Sequence, residues 1–173
     1  MTSRALRAAY PPLLRRSFRG SFNAYAHDLF ATEFILVDQD REEYGRLRLG
    51  GTHEAKFTSK ERESVLEASG GGYRMVLDGE EVLAADKVLF GNELEISCGD
   101  RTYKAQVSLF RNLAVASRPG GKRVVNLSGG LAGRSYRVLF DAEDTCAFSV
   151  AIFLLWYVIA NRRRAYRTRG GIM

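Results

Sequence analysis

Six basic side chains follow one another between positions 111 and 137 with no acid among them: Arg111, Arg118, Lys122, Arg123, Arg134 and Arg137. A guanidinium group presents a planar fork of N–H donors that matches phosphate and carboxylate oxygens. If the intervening hairpins bring the six to one rim of the fold, they form an anion patch suited to the phosphate of a lipid headgroup. The plainer alternative is a scatter of solvated loop charges, because exposed basic residues are common. Acids also cluster, as Asp38, Asp40, Glu42 and Glu43. A Ca²⁺ loop needs a stricter ligand order, so a solvated acidic turn accounts for them.

Residues for catalysis are sparse. His27 and His53 are the two histidines, and neither stands at a metal-ligand spacing. The sequence contains no G-x-S-x-G elbow, and SGGLAGRS (128–135) lacks a P-loop lysine and opens no helix. Tight turns explain its glycines. Cys98 and Cys146 form neither a metal motif nor a disulfide framework. They read as buried, reduced thiols of a cytosolic protein. The expectation is no enzyme, no metal and no cofactor.

The net charge of +6 sits in the two tails. Residues 1–27 carry Arg4, Arg7, Arg15, Arg16 and Arg19, and residues 161–173 carry Arg162, Arg163, Arg164, Arg167 and Arg169, with no acid in either stretch. All 20 acids fall between them and make the middle net acidic. Basic tails meet anionic membranes or nucleic acid. Nucleic-acid binding is the lesser alternative, because no aromatic stacking platform has a recognisable spacing. In residues 1–27 the arginines mix with Leu6, Tyr10, Leu13, Leu14, Phe18 and Phe22, and Pro11 and Pro12 break any helix. That stretch reads as a basic arm.

The element on which any such site must be mounted is Cys146–Ala160, CAFSVAIFLLWYVIA, which is uncharged throughout. It is too long for an ordinary strand. As a helix it rises about 22 Å at about 1.5 Å per residue, against a bilayer core about 30 Å thick. Asp144 or Thr145 can cap its first turn, and the arginines after Asn161 suit its negative end. A helix apolar on every face is buried either in lipid or in protein. A single span with a β-rich domain outside the bilayer is the alternative to burial within the fold.

Residues 32–140 read as β structure, with hairpin signals such as Asp78–Gly79. Leu94, Ile96 and Cys98 alternate with Glu93, Glu95 and Ser97, then Tyr103, Ala105 and Val107 alternate with Thr102, Lys104 and Gln106. A period of two gives each strand one wet and one dry face. About ten strands at hairpin spacing close into a sandwich or barrel, and a barrel that wide is not filled by its own side chains. One apolar helix about 10 Å across fills the hollow. Phe148, Ile152, Leu155, Trp156 and Ile159 are its candidate core contacts. The chain is thus expected to be mainly β. It should form a closed antiparallel β-barrel of ten to twelve strands over residues 28–164, with a hydrophobic C-terminal α-helix (145–161) through its centre. A basic tail, 165–173, should follow.

This layout resembles the tubby C-terminal-like superfamily, which includes the plant LURP-one-related proteins and the phospholipid scramblases. The resemblance rests on EFILVDQDREEYGRLRL, on the hairpins YRMVLDGEEVLAAD and LEISCGDRTYKAQV, and on SYRVLFDAED running into CAFSVAIFLLWYVIANRRR. It covers residues 28–164 and is one of layout, without a scramblase-like calcium loop or a proline- or cysteine-rich leader. It implies a barrel threaded by its last helix. It also implies a non-enzymatic module that associates with anionic phospholipid or a membrane surface. The arginine-rich, cysteine-poor composition fits a cytoplasmic protein, which such an association would place at the inner face of the membrane, with a single membrane span as the alternative.

Overall fold

A computed structural model describes residues 20–170, apart from Thr52, Glu61 and Phe90. Twelve strands run in order: β1 (Ser21–Ala26), β2 (Glu33–Val37), β3 (Glu43–Leu49), β4 (Glu54–Ser59), β5 (Glu63–Ser69), β6 (Gly72–Leu77), β7 (Glu80–Lys87), β8 (Glu93–Cys98), β9 (Arg101–Ser108), β10 (Leu113–Ser117), β11 (Arg123–Gly129) and β12 (Ser135–Phe140). The helix α1 (Ala147–Gly170) follows. Each strand pairs antiparallel with the next, and β1 pairs with β12 to shut the barrel, with Phe22 opposite Val138 and Tyr25 opposite Ser135. The hairpins turn where the dipeptides indicate. Asp78 and Gly79 both take positive φ, 52° and 81°, as a two-residue hairpin requires.

Alternation decides the two faces of the wall. In β9, Tyr103, Ala105 and Val107 point inward while Thr102, Lys104 and Gln106 are exposed. The outer face of this strand is therefore polar, as are those of β4 and β8, the reverse of the apolar outer band of a membrane-spanning barrel. The inner faces and the helix form one core. Cys146 to Ala160 are buried or nearly so on every side, and the rings that meet them come from opposite walls. Phe148 lies 6.1 Å from Phe22 of β1, 6.1 Å from Phe57 of β4 and 5.6 Å from Phe140 of β12. Tyr73 of β6 lies 6.0 Å from Phe153, 5.9 Å from Trp156 and 5.1 Å from Tyr157. Ile152, Leu155, Trp156 and Ile159 are all at most 2% exposed. The uncharged run occupies the barrel, and no described helix is long and apolar enough to cross a membrane.

Two boundaries differ from expectation. The stretch expected as an arm, 1–27, includes β1, which is needed to close the barrel; residues 1–19 lie outside the described residues. From β1, Phe22 and two alanines, Ala24 and Ala26, face the core, too weak an apolar alternation to stand out beside the preceding prolines and arginines. At the other end the helix does not stop near 161 but continues to Gly170 through the expected tail. A helix already nucleated in the barrel extends readily through Arg, Ala and Tyr, and Arg167 and Arg169 suit its negative end. Residues 171–173 lie outside the described residues.

Trp156 is the single tryptophan, 1% exposed, and its indole N–H has no hydrogen-bond partner among the described residues. Its contribution is therefore packing. Trp156→Ala should cost about 3–5 kcal/mol of stability by opening a cavity in the barrel. Trp156→Phe, which removes the orphan donor and keeps most of the volume, should cost markedly less. Denaturant unfolding of the three proteins, followed by circular dichroism, tests this order.

Candidate functional site

Successive turns of an antiparallel barrel alternate between its two ends. The helix enters at one, the cap end, formed by turns 38–42, 60–62, 78–79, 99–100 and 118–122 and the segment 141–146. It leaves at the other, the exit end, formed by connections 27–32, 50–53, 70–71, 88–92, 109–112 and 130–134. This alternation separates the six basic residues expected on one rim. Arg118, Lys122 and Arg123 lie at the cap end, Arg111 and Arg134 at the exit end, and Arg137 on the outer wall of β12. They form no common patch.

At the cap end several cations are already matched. Asp144, its side chain fully buried, accepts Cys146 N–H at 2.9 Å and Tyr103 O–H at 2.8 Å on Oδ1, with Arg101 Nη1 at 3.1 Å. Arg118 donates to Oδ2 through Nε at 2.8 Å and Nη2 at 2.6 Å. Lys122 lies 3.0 Å from Asp141. Burial alone would raise the Asp144 pKa, but the Cys146 amide, Arg118, Tyr103 and Arg101 together hold it below its ordinary value. Beside it, Cys146 Sγ donates to the Cys98 carbonyl at 3.0 Å, and both thiols are free and buried. Hydrogen bonding to Cys146 and burial push the Cys98 thiol up. This cluster seats the helix in the barrel mouth.

The exit end is built differently. Its connections hold one acid, Asp28. That carboxylate is engaged within its own loop by Thr32 N–H at 2.7 Å, Thr32 O–H at 2.7 Å and Glu33 N–H at 2.9 Å. The Thr32 hydroxyl and Glu33 amide bring its pKa down to about 2. Around it stand Arg111, Arg134, Arg162, Arg163, Arg164, Arg167 and Arg169. Elsewhere on the barrel arginines meet carboxylates, as in Arg46 and Arg48 with Glu33 at 2.8 and 2.7 Å and Arg74 with Glu67 at 2.6 Å. Here Arg134, Arg162 and Arg163 meet backbone carbonyls. Arg134 donates to Leu29 O at 3.0 Å and Asp28 O at 2.9 Å. Arg162 donates to Leu131 O at 2.5 Å and lies over the Tyr166 ring at 5.5 Å. Arg163 donates to Phe30 O and Ala31 O. Burial lowers the Arg163 pKa, offset in part by Asp28, and the guanidinium stays charged. A carbonyl positions a guanidinium without cancelling its charge.

Two clefts flank the emerging helix. One, about 270 Å³, lies between Leu29, Phe30, Arg134, Arg162, Arg163 and Tyr166. The other, about 290 Å³, is bounded by His53, Gly70–Gly72, Tyr73, Lys87 and Arg164, where Arg164 Nη2 sits 3.2 Å from His53 Nδ1. The same end exposes Leu29, Phe30, Leu89, Phe110, Leu131 and Tyr166, each between 61% and 97% accessible. The cap-end turns contain no large apolar residue and many acids, among them Asp38, Asp40, Glu42, Asp78, Asp100, Asp141 and Glu143. Sequence reasoning missed this polarity. The available signal was a Leu-Phe pair at 29–30 and 109–110 and a leucine at 89, always in connections at one end.

Comparison with protein families and with curated sequences gives no match. Among solved structures, the barrel is similar to an X-ray structure of a protein from Arabidopsis thaliana. The TM-score is 0.56 with 9% identity, over 82% of this chain and 93% of that one. At this identity the likeness is one of fold: a twelve-strand antiparallel barrel with a C-terminal helix.

The cap cluster makes stability depend on acid. Because the folded pKa of Asp144 is depressed, its contribution is complete above the unfolded carboxylate value, about 3.9, and is lost as pH falls through the lower folded value. Asp144→Asn should lower stability at neutral pH by about 2 kcal/mol or more. That is less than for a fully buried pair, because Arg101 and Arg118 are about one-third exposed. The variant should also flatten the decline in melting temperature below pH 4. Thermal melts across pH 2–7 check both.

Proposed function

We propose that this chain is a tubby-like barrel, related to the LURP-one-related and scramblase proteins, that acts without catalysis by associating with anionic phospholipid at a membrane surface. The observation that carries this reading is the charge polarity along the barrel. Arg134, Arg162 and Arg163 at the exit end are held by carbonyls, beside connections that contain one acid, while acids populate the cap end. A molecule polarised in this way turns its basic end toward an anionic bilayer, and each juxtamembrane arginine contributes about 1 kcal/mol of attraction. The fold likeness to the Arabidopsis structure is compatible with this kinship. The buried helix supports peripheral association rather than anchoring by a span.

Arg111, Arg167 and Arg169 are exposed and hold no described loop in place, so they test charge without disturbing the fold. The triple variant Arg111→Glu, Arg167→Glu, Arg169→Glu should weaken co-sedimentation with phosphatidylserine-containing vesicles at low salt by at least about tenfold. Lys122→Glu with Arg123→Glu, at the cap end, should leave it unchanged. Equal loss in both variants, or tighter binding to duplex DNA or RNA than to vesicles at the same salt, would defeat the reading.

A further inference from the structure

We propose that the exposed apolar loop tips of the exit end enter the headgroup–acyl boundary of an anionic bilayer, so that docking is by insertion as well as by charge; this rests on the membrane-surface reading above. Leu29, Phe30, Leu89, Phe110 and Leu131 are 79–97% exposed. They come from the β1–β2, β7–β8, β9–β10 and β11–β12 connections. Strands run around the barrel in the order β1, β12, β11, β10, β9, β8, β7, so these four connections are neighbours. Closure of β1 on β12 joins the first tip to the last. The tips therefore make one contiguous arc, and the glycine-rich connections β3–β4 and β5–β6 fill the rest of the rim. An apolar arc of this kind, rimmed by polar groups, marks an interaction surface.

The arginines present these tips. The guanidinium groups of Arg134 and Arg163 bond the carbonyls of Leu29 and Phe30, and Arg162 bonds that of Leu131. Each cation is thereby fixed at the backbone directly behind a projecting apolar side chain. A bilayer interface has the same layering, with phosphates next to the boundary where leucine and phenylalanine are accommodated.

Charge selects the occupant. A second copy docked by the same face would set its arginines against these arginines. The segment preceding Gly20 joins the barrel at the cap end, where Phe140 N–H bonds the Gly20 carbonyl. That segment carries Arg4, Arg7, Arg15, Arg16 and Arg19 and no acid, so the exit end repels it. An anionic bilayer satisfies both the apolar arc and its cations.

The test uses the full chain with vesicles of phosphatidylcholine, with and without phosphatidylserine. In Phe110→Trp the new indole should shift to the blue and be quenched by brominated acyl chains on addition of phosphatidylserine vesicles; the native Trp156, enclosed in the barrel, gives a constant background. The triple variant Leu89→Ser, Phe110→Ser, Leu131→Ser alters exposed positions only. It should keep low-salt association but lose at least about tenfold of the binding that survives high salt. If wild type binds while the Phe110→Trp emission stays fixed and the serine variant binds as well as wild type, insertion is wrong and the electrostatic reading stands. Absence of wild-type binding at low salt overturns both. A lipid-free dimer that the serine variant abolishes, without any emission shift on vesicles, assigns the arc to self-association and overturns insertion.

Discussion

A twelve-strand barrel and a helix with no polar face answer each other's need. Closed at this width, the sheet encloses more space than its inward side chains can fill. A helix that is apolar all round finds no stable place in water. Phe148 meets Phe22, Phe57 and Phe140, and Tyr73 meets Phe153, Trp156 and Tyr157. Through these contacts one element is packed against walls that lie far apart in sequence. Every other feature is arranged around that axis, including the identity of the two ends.

The ends differ because the helix has a direction. Where it begins, the Cys146 amide meets a buried carboxylate, and Asp144 gathers Arg101, Arg118 and Tyr103 around it. Charges there are consumed in seating the helix. Where it leaves, its carbonyl end favours cations, and the arginines of its last turns fan out beneath the loops. Arg162 and Arg163 bind carbonyls of those loops, so the loops are braced while the charge remains. The basic character of the exit end is in this sense a consequence of the way the barrel is plugged.

Much of the architecture was legible. The alternation of Leu94, Ile96 and Cys98, the Asp78–Gly79 turn and the acid at 144 each map onto the strand, hairpin and cap observed. The first strand was not, because Phe22 is the one large side chain it turns inward, beside Ala24 and Ala26. The anion patch expected from Arg111 to Arg137 failed for a geometric reason. Nearness in sequence across successive hairpins places charges at opposite ends, and two of the six, Arg118 and Lys122, meet acids at 144 and 141.

Composition and periodicity alone determined that residues 146–160 must be buried, in lipid or in protein, and that the preceding hairpins are amphipathic, because burial of an uncharged helix and a period of two are local demands. They also determined that the arginines near the C-terminus follow the enclosed run. Only the tertiary structure decided which loops share a rim with them. That depends on β1 sealing against β12, a pairing between residues more than a hundred positions apart, and no local pattern specifies a contact of that separation.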